Sequence, residues 1–200
     1  MTQPSYVHGS TDAREVARLE KQAGFIAPAT FPSLALKPGD RVLDLATGVG
    51  AMATRLLKQF PGIHLVGVDL SRTQLAAARQ HHPEVTVLRG DGTRLPFADE
   101  TFDRVHCSWM LEHVPDPVAV LREVRRVLKR DGFCQFVEVD NSSFGMEPRS
   151  DAVFEVLRML NAAQFRGGGD PEIGGRLHRI FGRVGFRRFE LHRPLLRGAE

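Results

Sequence analysis

The stretch VLDLATGVG at residues 42–50 places Asp44 four residues ahead of Gly48, and GVDLS places Asp69 nineteen residues beyond Gly50. Glycines at such a turn let backbone amides approach a ligand closely, and an acid closing the next strand can accept hydrogen bonds from a ribose. Gly48, Gly50 and Ala53 also satisfy G-x-G-x-x-A, so the turn by itself could hold a dinucleotide. Two further acids point to a different ligand. A carboxylate at Asp44, facing the turn, suits a cationic or ammonium-bearing group better than a pyrophosphate. Asp91, set between Gly90 and Gly92 where the third strand-like run ends, can accept from an exocyclic amine or orient its loop.

Groups able to move a proton lie further along. His113 follows the fourth strand-like run with Glu112 and Asp116 close in sequence. An imidazole titrates near neutrality, which makes His113 the candidate general base if a nucleophile must lose a proton. Glu138 and Asp140 close the fifth run and either face the same pocket or cap its loop. Tyr6 and His8 near the start could close over a ligand, whereas His178 reads as a surface histidine. Cys107 and Cys134 fall in apolar runs and read as reduced, buried thiols; two cysteines are too few ligands, and no metal is expected.

The elements that position these groups alternate. Apolar residues at helical spacing predict a helix over 12–23, capped by Ser10 or Thr11. After a turn at 37–40, strand-like runs at 41–46, 63–68, 85–88, 102–108 and 132–139 alternate with helical segments such as MATRLLKQF, TQLAAARQH and PVAVLREVRRVLK. Such alternation implies crossover connections and a mainly parallel sheet, with ligands at the carboxyl ends of its strands. The turn-rich segments 140–151 and 166–175 read as loops over that end.

At 200 residues the chain suits one domain, and 42% hydrophobic with 26% charged residues is ordinary for a globular protein. No apolar run approaches bilayer length and the opening lacks the order of a secretion signal, so a cytoplasmic protein without a membrane partner is expected. The net charge of +3 is mild, and its arginines between 176 and 197 read as a solvated face; nucleic acid is not the expected partner.

VLDLATGVG, GVDLS, GDGTRLPF, FDRVHCSWMLEHVPDP and LREVRRVLKRDGF, in this order over roughly residues 38–140, resemble the class I S-adenosylmethionine-dependent methyltransferases of the small-molecule type. The resemblance implies a Rossmann-like, doubly wound, mainly parallel α/β sheet at 37–200 and a helical lid at 1–36, in one compact domain. It implies S-adenosylmethionine as cofactor, with Asp44, Ala46, Thr47, Gly48 and Gly50 against the methionine part and Asp69 and Leu70 at the ribose. Asp91, Gly92 and Thr93 would meet the adenine, and Ser108 and Trp109 would border the sulfonium and the acceptor. The chain departs from the family where Ala46 replaces the first glycine of the turn. The implied reaction is O- or C-methylation of a small, apolar or aromatic metabolite. Phe144, Met146, Phe154, Met159 and Phe165 would line its pocket or serve as core. A non-catalytic binding module and a NAD-dependent dehydrogenase are the alternatives.

The family's sheet has seven strands, the last two forming a hairpin. After the helix RLHRIFGRV only GFRRFELHRPLL remains, one strand's worth of residues. The seventh strand is expected to be missing. The open edge would then be covered by further chain or by a second copy in a homodimer, or a sixth strand near Phe186 would pair directly with the one near Val137.

Overall fold

The computed structural model describes residues 11–193. Its first helix, α1 (Ala13–Thr30), is longer than its apolar spacing suggests and continues through Pro28. Its N-cap is Asp12, whose carboxylate accepts from the amides of Arg14 and Glu15. Thr11 is not the cap; Ser10, Tyr6 and His8 lie outside the described residues. A short 3-10 turn, Phe31–Leu34, follows and buries Phe31 and Leu34 completely.

The chain then alternates as its runs predict: β1 (Arg41–Leu45), α2 (Ala51–Gln59), β2 (His64–Asp69), α3 (Arg72–His81), β3 (Thr86–Arg89), β4 (Phe102–Ser108), α4 (Pro117–Val127) and β5 (Leu128–Val137). The strands form one parallel sheet in the order β3-β2-β1-β4-β5. Strand order reverses between β1 and β4, and the crevice above their carboxyl ends is where such a sheet binds ligands. Leu43, Leu45, Val105 and Cys107 are essentially inaccessible because helices cover both faces.

One core cluster joins Val16, Ala23, Ala27, Phe31 and Leu34 to the inner residues of α2 and α3. The described part of the expected lid segment is thus built into the core. The other cluster packs α4 and the late helix α6 (Leu177–Arg183) against the opposite face.

Three expectations need correction. β5 begins at Leu128, earlier than expected, because Leu128 pairs with Phe102 across an irregular register before regular pairing resumes at Arg104. The segment expected to make a sixth strand near Phe186 forms none within 186–193, and Phe189 and Leu191 are exposed. The described sheet therefore ends at β5, and no strand pairs directly with Val137 on its outer side. Finally, α5 (Asp151–Arg166) buries no residue: Phe144, Met159 and Phe165 stand about half exposed rather than in a core. Phe144 packs edge-on against Phe154, which Arg149 covers at 4.3 Å. Cys107 is buried and Cys134 is only partly covered; both are free thiols.

Candidate active site

The turn after β1 is shaped by backbone that turns left-handed three times in five residues, at Ala46 (φ 58°), Gly48 (φ 55°) and Gly50 (φ 83°). Glycine adopts this conformation freely and alanine does so at a cost. Gly50 is the N-cap of α2 and supplies no side-chain cap, so the first amides of that helix point at the crevice with donors to give. A side chain added at Gly48 would meet only Gln74 Oε1, at 3.7 Å. That oxygen is buried and has no hydrogen-bond partner.

Asp69, at the end of β2, ties the turn to the next helix. Its Oδ2 accepts from the Gly48 amide at 2.9 Å and its Oδ1 from the Ser71 amide at 2.8 Å. Ser71, not Asp69, is the N-cap of α3. Burial pushes the Asp69 carboxyl above the ordinary range, and the amides of Ser71 and Gly48 oppose that rise. Leu70 beside it is exposed. At the end of β3, Asp91 closes a tight turn by accepting from the Thr93 amide and hydroxyl, both at 2.8 Å. Gly92 is buried against Met110, whose methyl would lie 2.5 Å from an added Cβ.

Asp44 is 2% exposed and has both oxygens engaged inside the protein. Oδ2 accepts from Thr47 Oγ1 at 2.6 Å, and Oδ1 lies 2.8 Å from His106 Nδ1. His106, fully buried on β4, is the register partner of Asp44, and its Nε2 lies 3.2 Å from Ser108 Oγ. Trp109 follows with φ 54°, strained for an aromatic residue, while its amide still donates to Val137 O. This break turns the chain away from the strand into a 3-10 turn, Leu111–His113.

Glu138, just past β5, anchors that turn: its carboxylate accepts from the amides of Met110, Leu111 and Glu112 at 3.1, 2.9 and 3.3 Å. Burial pushes its pKa up to about 8, the Leu111 amide opposing and the neighbouring Glu112 adding to the rise. Burial also raises Glu112, against a hydrogen bond from Gln164. His113 has Nε2 3.7 Å from Glu112 Oε1 and Nδ1 3.4 Å from Gln164 Nε2. The glycine-rich loop 167–175 is stitched over this end: Asp170 N donates to Glu112 O and Gly174 N to Val139 O, at 2.8 Å each. An added Cβ at Gly175 would meet the Asp140 carboxylate at 2.8 Å, so Asp140 faces this loop. His178 lies on α6, away from the turn.

Asp44, Thr47, Gly48, Gly50, Asp69 and Ser108 are thus brought together at the reversal of strand order, with Asp91 to Thr93 along the same rim. Neither His106 nor Gln74 is marked by any motif or spacing in the sequence. Period-two alternation could have placed His106 on the face of Ser108, but its pairing with Asp44 depends on register. A surface depression of about 470 Å³ lies elsewhere, lined by Glu100, Asp103, Lys129 and Arg130 at the amino ends of β4 and β5. It is open, its charges pair with one another, and it touches none of these residues.

Residues 43–136 match a family described as a methyltransferase domain. A demethylmenaquinone methyltransferase of Mycobacterium sp. (strain KMS) is 42% identical over 136 residues, 66% of this chain and 57% of that protein. The chain spans about half the length of the curated relatives it matches. A solved structure from Bacillus halodurans C-125, described as a methyltransferase, is 28% identical with a TM-score of 0.64, covering 81% of this chain and 69% of that one. Haemonchus contortus phosphoethanolamine N-methyltransferase 2, solved with S-adenosyl-L-methionine, is 25% identical with a TM-score of 0.62, covering 83% and 36%. Together with the five-stranded order and the turn at its switch point, these likenesses support a class I S-adenosylmethionine-dependent methyltransferase domain over residues 43–136.

Proposed function

We propose that the chain transfers a methyl group from S-adenosylmethionine to a small apolar acceptor bearing a ring. The observation that carries this reading is the Asp69 carboxylate bridging Gly48 and the start of α3 beside a turn whose backbone stays open. The residues fit the cofactor. The uncapped start of α2 suits its carboxylate, the orphaned Gln74 Oε1 can accept from its ammonium group, and the remaining lone pairs of Asp69 suit two ribose hydroxyls. Asp91 to Thr93 border the adenine, and Ser108 and Trp109 border the reacting end. Asp44 acts through Thr47 and His106, since both its oxygens are engaged within the protein.

S-adenosylmethionine supplies an activated methyl carbon on a sulfonium. The protein's part is to hold the acceptor in line, to exclude water and, for a hydroxyl or acidic carbon, to receive a proton. His113, on the turn Leu111–His113, is one group able to receive it. The carboxylates around the crevice complement a cationic cofactor better than a pyrophosphate, which favours this reading over a dehydrogenase. Demethylmenaquinone, named in the relatives, is the first acceptor to try. Among the described residues no helix is long and apolar enough to cross a membrane. The bare face of α5 and the outer edge of β5 support pairing with a second copy.

The direct test supplies methyl-labelled S-adenosylmethionine with a panel of hydroxylated rings, demethylmenaquinone included. Label recovered in a ring compound, and lost on replacing Asp69, is the expected result. Cofactor bound with no label moved to any acceptor would favour a non-catalytic binding module.

A further inference from the structure

The polar chain running from the cofactor turn through the sheet ends at the acceptor side, and its chemistry is directional. Asp44 Oδ2 accepts from Thr47 Oγ1, and Oδ1 faces His106 Nδ1 at 2.8 Å. An ionised carboxylate can only accept, so Nδ1 carries the proton; in a neutral ring Nε2 is then bare. Ser108 Oγ, 3.2 Å from Nε2, must point its hydrogen inward and turn its lone pairs toward the crevice. Asp44 and His106 are 2% and 0% exposed, so Ser108 is the one member that reaches the site. The edge of the Phe31 ring, 6.1 Å away centre to centre, closes off the other side of the imidazole.

We propose that Ser108, His106 and Asp44 form a proton relay that ionises the acceptor, and that the acceptor therefore carries an acidic ring hydroxyl. This rests on the methyl-transfer reading of the site. The acceptor's O–H proton passes to Ser108 Oγ as the Ser108 proton passes to His106 Nε2. The freed electron pair, on oxygen or delocalised to a ring carbon, forms the new bond to the methyl carbon. The carbon–sulfur bond breaks with its pair remaining on sulfur. The proton rests on an imidazolium held beside the Asp44 carboxylate and leaves to solvent after turnover; methylation at carbon releases the ring proton as well. Thr47 fixes the carboxylate rotamer, and Gly67 leaves room for it, since a Cβ there would lie 2.7 to 2.9 Å from the Thr47 side chain. A histidine–carboxylate pair serving only to hold the sheet together would have no need to end on a hydroxyl at the acceptor side.

The test uses the whole chain loaded with S-adenosylhomocysteine and probed with 1-naphthol near neutral pH, where the free probe is almost wholly un-ionised. The bound probe should show the absorption of its anion in the parent, lose it in Ser108→Ala and recover it in part in Ser108→Thr. With labelled cofactor, turnover of the same probe should fall roughly a hundredfold in Ser108→Ala while S-adenosylhomocysteine affinity is kept. Nitrogen-15 spectra of histidine-labelled protein should show His106 with Nδ1 protonated and Nε2 bare, and only Nε2 should move in Ser108→Ala. Because the variant is at Ser108, the buried pair stays intact and folding is not at issue. A protonated Nε2, a probe that binds un-ionised, ionisation unchanged in Ser108→Ala, or no naphthol binding at all would each overturn the proposal. Failure to bind S-adenosylhomocysteine would instead overturn the methyl-transfer reading beneath it.

Discussion

Asp69 accepts from the amides of Gly48 and Ser71, one on each oxygen, and each carboxylate oxygen has a further lone pair. If these receive both ribose hydroxyls, two charge-assisted hydrogen bonds worth about 1.5–3 kcal/mol each are at stake. Asp69→Ala is expected to weaken S-adenosylmethionine binding by one to several powers of ten, measured by calorimetry on protein whose folding is checked by circular dichroism. Asp69→Asn, which keeps one acceptor oxygen, should fall between. Unchanged affinity in a folded Asp69→Ala would remove the ribose from this position. Ala46 gives a second prediction whose sign depends on the structure. From sequence, a glycine there would be expected to loosen the unfolded chain and cost some stability. At φ 58° the balance reverses, because a Cβ in the left-handed region costs about 1 kcal/mol. Ala46→Gly should raise the urea midpoint and leave cofactor affinity equal or tighter; a lower midpoint would show that the methyl group packs usefully. The acids and glycines of the site were legible because each lies at or just past the carboxyl end of a strand-like run. His106 was not, because a histidine inside an apolar run reads as filling until its cross-strand neighbour is known.

The elements were readable where burial is two-sided. β1, β2 and β4 are short apolar runs between turns, and parallel strands covered on both faces look like that. The start of β5 was misread because the helical period of α4 runs directly into it, and Leu128 is claimed by Phe102 rather than by another helical turn. The 3-10 turn Leu111–His113 depends on Glu138 in a way sequence spacing does not show. That carboxyl holds its proton in the folded chain up to about pH 8, whereas an unfolded glutamate releases it near 4.5. Between these values the native state binds the extra proton, so its contribution to stability is present at low pH and lost as pH rises through about 8. Urea midpoints should therefore fall between mildly acidic and alkaline pH, and fall less in Glu138→Gln, which cannot titrate. The remaining fall in the variant belongs to Asp69 and Glu112, which burial also raises. A pH dependence identical in both proteins would mean that the three amides keep Glu138 ionised.

At the scale of the whole molecule, the sheet formed by the described residues has an unpaired side at β5, and α5 presents Val153, Val156, Met159 and Leu160, all exposed among those residues. An exposed helical stripe of this size is unusual on a monomer and commonly meets a partner. The purified chain is expected to run as a dimer in light scattering, and Val156→Lys with Leu160→Lys is expected to return it to a monomer without loss of cofactor binding. A monomeric parent would leave this face to some other covering. That the described strands pair in one parallel sheet was legible from their alternation with helices. The failure of 186–193 to add a sixth was not, because its alternating residues match a strand whether or not an edge receives them.

The central claim is that the crevice at the strand-order reversal holds S-adenosylmethionine, and calorimetric titration of the whole chain tests it most directly. S-adenosylmethionine and S-adenosylhomocysteine should each bind at one site, competitively, with affinity lost in Asp69→Ala, while NADH gives no heat. Binding of NADH with no response to either sulfur compound would contradict the account.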